Sequence, residues 1–203
     1  MSMNTSSIEP PRPTQNARAR SGRLQALLIL LVCAAPIVGG TIAFKFWESG
    51  PTTNYGELVT PRKVEIVGQG ADQRRAALSD YDGKWRYVMF DAGECDEQCQ
   101  RKLLYTRQIR LAQGREQARI ERIWLIDDRS VPNAGHAALY ADAHVITLGS
   151  PSVAAEFEAQ GSARQYIYLV DPHGNLMMRY PADPDPARMI KDLQRLLKYS
   201  RIG

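Results

Sequence analysis

Two cysteines stand four positions apart in "YVMFDAGECDEQCQRKLL", residues 87–104, where a short apolar run breaks off, three acids flank the cysteines and a basic, helix-like stretch follows. A helix start carries unpaired N–H groups and the positive end of the helix dipole, both of which favour a thiolate over a thiol. At i, i+4 spacing Cys95 and Cys99 share one helical face, so they can close a disulfide or present two sulfurs to one soft ion. A bridge over so few residues closes too small a loop to stabilise much, so the pair reads as chemical rather than structural. Reduced, it can attack a partner disulfide through a mixed disulfide. The strand-to-helix position places Cys95 nearer solvent, as the attacking thiol, and Cys99 one turn inside, as the resolving one. Glu94, Asp96 and Glu97 can assist a bound cation, but their charges oppose thiolate formation. They also stabilise a helix start, by about 0.3–1 kcal/mol each.

The elements that must position this pair alternate. "KVEIVG" reads as a short strand, and "WRYVMF" as a strand running straight into the cysteines. A helix follows from Asp96 to about Gly114, then a strand in "ARIERIWLIDD" and a helix over Asn133–Tyr140. The strand "HVITLG" leads to a helix with Ser150 as N-cap and Pro151 at its first position. "QYIYLVDPHGNLMMRYP" makes a hairpin around Asp171–Gly174, and "DPDPARMIKDLQRLLKYS" closes as an amphipathic helix. Strands alternating with helices imply an α/β domain whose sheet contains parallel strands. Seven bases between Arg101 and Arg122, against two acids, suggest a solvated positive face. Met177 and Met178 neighbour each other in a strand, so they face opposite ways and cannot bind one ion together. His136, His144 and His173 read as surface or packing residues rather than ligands.

Ahead of the domain lie three segments of different character. Residues 1–23 are rich in Ser, Asn, Pro and Arg and read as a disordered tail. From Leu24 to Phe44 no charge occurs, a length of roughly 30 Å as a helix, so one membrane span is expected over 24–46, with a signal peptide cleaved at Val32-Cys33-Ala34 as the rival reading. Cys33 within it reads as a small apolar residue. Four arginines precede the span and Lys45 alone follows closely, which keeps the N-terminus cytoplasmic and exports the rest. A linker is expected over 47–60 and a folded domain over 61–203. Residues 1–46 hold five Lys/Arg and one acid, whereas 47–203 hold 21 of each, so the exported part is neutral and nucleic acid is excluded as a partner. No Gly-rich phosphate loop, Ser/His/Asp set or multi-cysteine zinc pattern occurs.

Taken together, "LSDYDGKWRYVMFDAGECDEQC", "IWLIDD" and the late "YIYLVDPHGNLMMRYP" are similar to the Sco/SenC proteins, over roughly Ala77–Leu197. The resemblance implies a thioredoxin-like domain, a central mixed sheet flanked by helices, behind a single N-terminal transmembrane helix. It implies residence in a bacterial-type inner membrane with the domain periplasmic, where it assists copper insertion into cytochrome c oxidase. Partners would be an oxidase subunit or other assembly factors. Cys95 and Cys99 would be both the reactive residues and the metal ligands, with Cu(I) as the ion. The family's third ligand is a histidine shortly before the "YLVDP"-type strand, where this chain has Ser162-Ala163, and the proline that precedes that strand in ordinary thioredoxins is absent at Arg164-Gln165. Two thiolates suffice for Cu(I), whereas Cu(II) asks for further nitrogen or oxygen ligands. The alternatives are a general membrane-tethered thiol-disulfide oxidoreductase and a scaffold without chemistry.

Overall fold

A seven-residue run with every side chain buried, Trp85–Asp91, forms the strand that leads to the cysteines. Burial on both faces is what a strand inside a covered sheet experiences, and it explains why Tyr87–Phe90 is continuously apolar rather than alternating. The computed structural model describes residues 25, 28–41, 54–150, 152–155, 157, 161–200 and 202. The chain divides into two compact units, Met1–Thr52 and Thr53–Gly203.

In the first unit, residues 28–41 form helix α1, with Leu28, Ile29, Leu30, Leu31, Val32, Ile37 and Val38 exposed. Among the described residues no helix is long and apolar enough to cross a membrane. The span expected over 24–46 extends past the described residues, and the tail expected at 1–23 lies outside them.

In the second unit the strands are β1 (Glu57–Lys63), β2 (Val67–Gly70), β3 (Arg75–Ala77), β4 (Trp85–Asp91), β5 (Ile120–Ile126), β6 (His144–Leu148), β7 (Tyr166–Val170) and β8 (Asn175–Pro181). The helices are α2 (Glu97–Leu111), α3 (Ala137–Tyr140), α4 (Ser152–Ala155) and α5 (Pro186–Tyr199). The strands form one mixed sheet in the order β1-β8-β7-β4-β5-β6-β2-β3. β4, β5 and β6 are parallel, and β7 pairs with β4 antiparallel, as β8 does with β7. The linker expected to reach Thr60 is shorter, because Glu57–Thr60 already belong to β1. "KVEIVG" is not one strand: Val64 and Ile66 bury themselves in the turn joining β1 to β2.

Helices α2 and α5 cover one face of the sheet. Ile109, Met189, Leu193 and Leu197 pack there on Tyr87, Ile167, Leu169, Met178 and Tyr180. α5 begins as its sequence requires, with Asp185 accepting from the N–H groups of Ala187 and Arg188 and Pro186 in the first turn. Val64, Ile66, Leu78 and Phe157 cover the other face, against Val88, Phe90, Ile123, Leu125 and Tyr168. α2 stops at Leu111 rather than Gly114; Gly114, at φ +57°, instead starts a 3-10 turn through Arg119. Glycine suits that left-handed position because it has no Cβ to clash.

The positive face expected on α2 is a correction. Lys102 and Arg122 are 0% and 2% exposed, and Arg107, Arg110 and Arg122 converge on one carboxylate, Asp142. The buried stripe of α2 is Cys99, Lys102, Leu103, Thr106 and Ile109. It is polar at two positions because β4 and β5 carry polar groups opposite it, Asp91 and Arg122.

Candidate redox site at Cys95 and Cys99

β4 hands over to α2 through Ala92-Gly93-Glu94, closed by a hydrogen bond from Cys95 N to Ala92 O at 3.1 Å. Asp96 is the N-cap of α2 and accepts from Cys99 N at 2.9 Å. This capping role accounts for the acid at position 96 without any cation; Glu94 and Glu97 are exposed. Cys95 has φ +52°, in the left-handed region. A non-glycine residue there costs roughly 1–2 kcal/mol, so this position keeps its thiol against a local backbone preference.

Cys95 and Cys99 form a disulfide, with their Cα atoms 5.1 Å apart. Both are buried, at 1% and 0% exposure, among Met89, Leu103, Trp124 and Ile126, with Leu139, Tyr140 and Val145 packed against them. This corrects the expectation that Cys95 is the more accessible thiol. The reason is tertiary: the segment after β5 folds back over the helix start and lays Leu139 and Tyr140 on the sulfur cluster. That segment is fastened by Asn133 N to Gly93 O at 3.0 Å and Gly93 N to Ser130 Oγ at 2.6 Å. Further bonds run from Arg107 to Ala138 O at 2.8 Å and from Arg122 to Leu139 O at 3.1 Å. Gly93 is needed for this close approach, since a Cβ would sit 2.6 Å from Ser130 O.

Four charged residues that sequence reasoning missed, Asp91, Lys102, Asp127 and Arg164, form two ion pairs at the ends of β4 and β5 and along α2. Lys102, one turn beyond Cys99, donates to Phe90 O at 3.0 Å and Arg164 O at 2.7 Å and lies 2.5 Å from Asp91 Oδ2. Burial lifts the Asp91 carboxyl to about 6, with Lys102 pulling the other way. Burial likewise lowers Lys102 below the ordinary lysine value, Asp91 opposing. Arg164 lies in the loop facing β4's end, just after Ser162-Ala163, where the resemblance would put a histidine, and where ordinary thioredoxins have a proline. Its guanidinium grips Asp127 through Nε to Oδ2 at 3.0 Å and Nη2 to Oδ1, and these bonds raise its pKa. The legible signal was an acid closing an apolar strand and a lysine three positions after Cys99, in phase with the buried stripe.

The three histidines are separated. His144 opens β6 against Glu121 at 3.0 Å and stacks on Tyr81 with ring centres 4.1 Å apart. His173 sits in the β7–β8 turn. His136 alone comes near the disulfide: Gln100 Nε2 donates to Cys95 O at 3.0 Å and lies 3.2 Å from His136 Nε2. Among the described residues no group of three or more His, Cys, Asp or Glu side chains is arranged to hold a metal. Met178 is buried and Met177 only partly so, on the opposite side of β8.

A mixed sheet with α2 at the end of a central strand and a disulfide at that junction defines a thioredoxin-like protein. A model of the transmembrane-like, thioredoxin-like, C-terminal domain matches residues 85–200, more than half of the chain, and the chain belongs to that family. No curated protein matches the sequence. Among solved structures, apo Sco1 from Thermus thermophilus is similar at TM-score 0.59 and 21% identity, over 73% of this chain and 99% of that one. BsSco, a member of the Sco family of cytochrome c oxidase assembly proteins in which a disulfide switch was identified, aligns at 0.56 and 16%, over 71% and 98%. Copper-bound yeast Sco1 aligns at 0.56 and 12%, over 70% and 96%. The Sco/SenC likeness read from the sequence therefore recurs in the fold.

Proposed function

We propose that this chain is a Sco-like, membrane-anchored assembly factor for cytochrome c oxidase that works by interconverting the dithiol and disulfide of Cys95 and Cys99. The carrying observation is the disulfide itself, at the start of α2, with Arg164 rather than a histidine on the facing loop. In the reduced form one thiolate attacks a disulfide of the client, forming a mixed disulfide and releasing a client thiolate. The second cysteine then attacks, the mixed disulfide breaks, and the Cys95–Cys99 bond closes. Two electrons pass to the client, whose sulfurs take up the two protons given up by the cysteines. Reduced cysteines at the copper site of an oxidase subunit are the product.

Copper fits this donor set only in part. A centre with a third ligand does not fit, and the disulfide form has no thiolate to offer. The reduced pair suits Cu(I), as cargo held by two sulfurs. Anchoring rests on the uncharged stretch Leu24–Phe44 and the arginines before it, with the domain periplasmic. The burial of both sulfurs favours a second reading, a scaffold that contacts its assembly partners without chemistry.

The two separate in one experiment. Cells carrying Cys95→Ser/Cys99→Ser at normal protein level should lose oxidase assembly. Full assembly by that variant would remove both the redox and the copper roles and leave the scaffold.

A further inference from the structure

The disulfide cannot react where it lies, because no partner sulfur can reach a bond whose two cysteines are 1% and 0% exposed. Of the elements around it, β4, β5 and α2 are integral to the core, whereas residues 131–140 are an irregular segment with a 3-10 turn and the single turn α3. Its outward side chains, Ala134, Ala137 and Ala138, are small and exposed, and Val131 at its start is 78% exposed. Leu139 and Tyr140 are its inward ones. Leu139 also lines a cleft of about 320 Å³ between this segment and the first two turns of α2, with Glu97, Gln100, Arg101 and Leu104. We take this cleft, whose wall includes the Gln100 bonded to Cys95 O, as the mouth of the site.

At that mouth the donors and acceptors allow one arrangement. Cys95 O is a carbonyl and only accepts, so the Gln100 atom 3.0 Å from it must be the amide nitrogen. The same nitrogen lies 3.2 Å from His136 Nε2. Its second hydrogen can be received there only if Nε2 carries a lone pair, which requires a neutral ring with its proton on Nδ1. A protonated ring would set an N–H against an N–H. Turning the Gln100 amide over would satisfy the ring but set its oxygen against Cys95 O. The charged groups at this mouth do not relieve the conflict: Glu97 and Arg101 pair with each other at 3.8 Å, and Asp96 is taken by Cys99 N.

We propose that residues 131–140 are a cover over the disulfide and that the Gln100–His136 contact is its latch, released when the His136 ring takes up a proton. The proposal deepens the redox reading of the site and rests on it for its purpose, but opening can be measured without any client. The cover's remaining ties run from Asn133 to Gly93, from Arg107 to Ala138 O and from Arg122 to Leu139 O, and no described hydrogen bond joins it to Asp91, the carboxyl that burial lifts to about 6.

The test uses the full, oxidised chain in detergent and a water-soluble trialkylphosphine. The phosphine attacks one sulfur, the S–S bond breaks, phosphorus is oxidised to the phosphine oxide with oxygen from water, and two thiols result. Rates at pH 5 to 8 are divided by those of an unstructured peptide with the same cysteine spacing. Loss of one hydrogen bond should make the wild type about tenfold faster at pH 5 than at pH 8. His136→Gln keeps an acceptor at every pH and should be slow and flat. His136→Ala and Gln100→Leu, which break the latch from its two sides, should both be fast and flat. A wild-type rate independent of pH, or a His136→Ala profile matching the wild type, would overturn the latch. Either result leaves the redox role standing, since that depends on the double serine variant.

Discussion

Exchanging Lys102 for methionine removes a cation that is 0% exposed and bound to Asp91, Phe90 O and Arg164 O. In the intact pair, burial already raises Asp91 from 3.8 to about 6. Two such units correspond to about 3 kcal/mol against the folded state above pH 6. The sign follows from proton uptake: a carboxyl that binds its proton more tightly when folded favours folding at low pH. That advantage is complete below 3.8 and lost as pH rises through the folded value. Without Lys102 the folded value climbs further, so Lys102→Met should cost about 3–5 kcal/mol at pH 8 and much less near pH 4.5. Asp91→Asn should show the opposite slope. It removes the advantage that Asp91 gives the wild type in acid and strands Lys102, whose folded value is already lowered from 10.5, so its penalty should be largest at pH 4.5 and shrink as pH rises, first through about 6 and again on the alkaline side. Urea denaturation of the unit 53–203 with the disulfide intact, at pH 4.5, 7 and 9.5, reads both penalties. Penalties that do not vary with pH, or a Lys102→Met loss greatest in acid, would refute the account of the pair as a buried charge couple.

Two further outcomes follow from contacts. Gly93→Ala puts a Cβ 2.6 Å from Ser130 O and 2.8 Å from Ser130 C, both backbone, and should cost about 1–3 kcal/mol in the same denaturation assay. A stability equal to wild type would show that the two loops separate freely. Asp142→Ala should cost about 3–5 kcal/mol because it leaves the buried Arg122 without its carboxylate. Arg107→Ala, which removes a half-exposed partner 3.7 Å from the same Asp142, should cost under about 1 kcal/mol. Equal losses in the two variants would contradict the assignment of Arg122 as the member that needs the acid.

The sequence by itself determined what short-range physics controls. The run Tyr87–Phe90 reads as a strand because it is continuously apolar, and Asp185-Pro186 starts α5 because cap and first-turn proline occur together. The handover from strand to helix at Cys95, the hairpin after Val170 and the missing histidine at Ser162-Ala163 were likewise legible. What the bases of α2 and β5 do was not, because composition counts Lys102, Arg107, Arg110 and Arg122 as charges but not as partners. Only the packing of β5 and the loop at Asp142 against α2 turns a positive stretch into buried pairs. The accessibility of the cysteines was misread for the same reason. Spacing predicts two sulfurs on one helical face, whereas Cys95 stands just before the N-cap and only Cys99 lies in the helix, and whether the pair meets water depends on a segment some forty residues later in the chain. Leu139 and Tyr140 reach the disulfide only after β5 has paired with β4. Burial is a property of elements distant in sequence brought together by the sheet, and no local pattern around Cys95 encodes it.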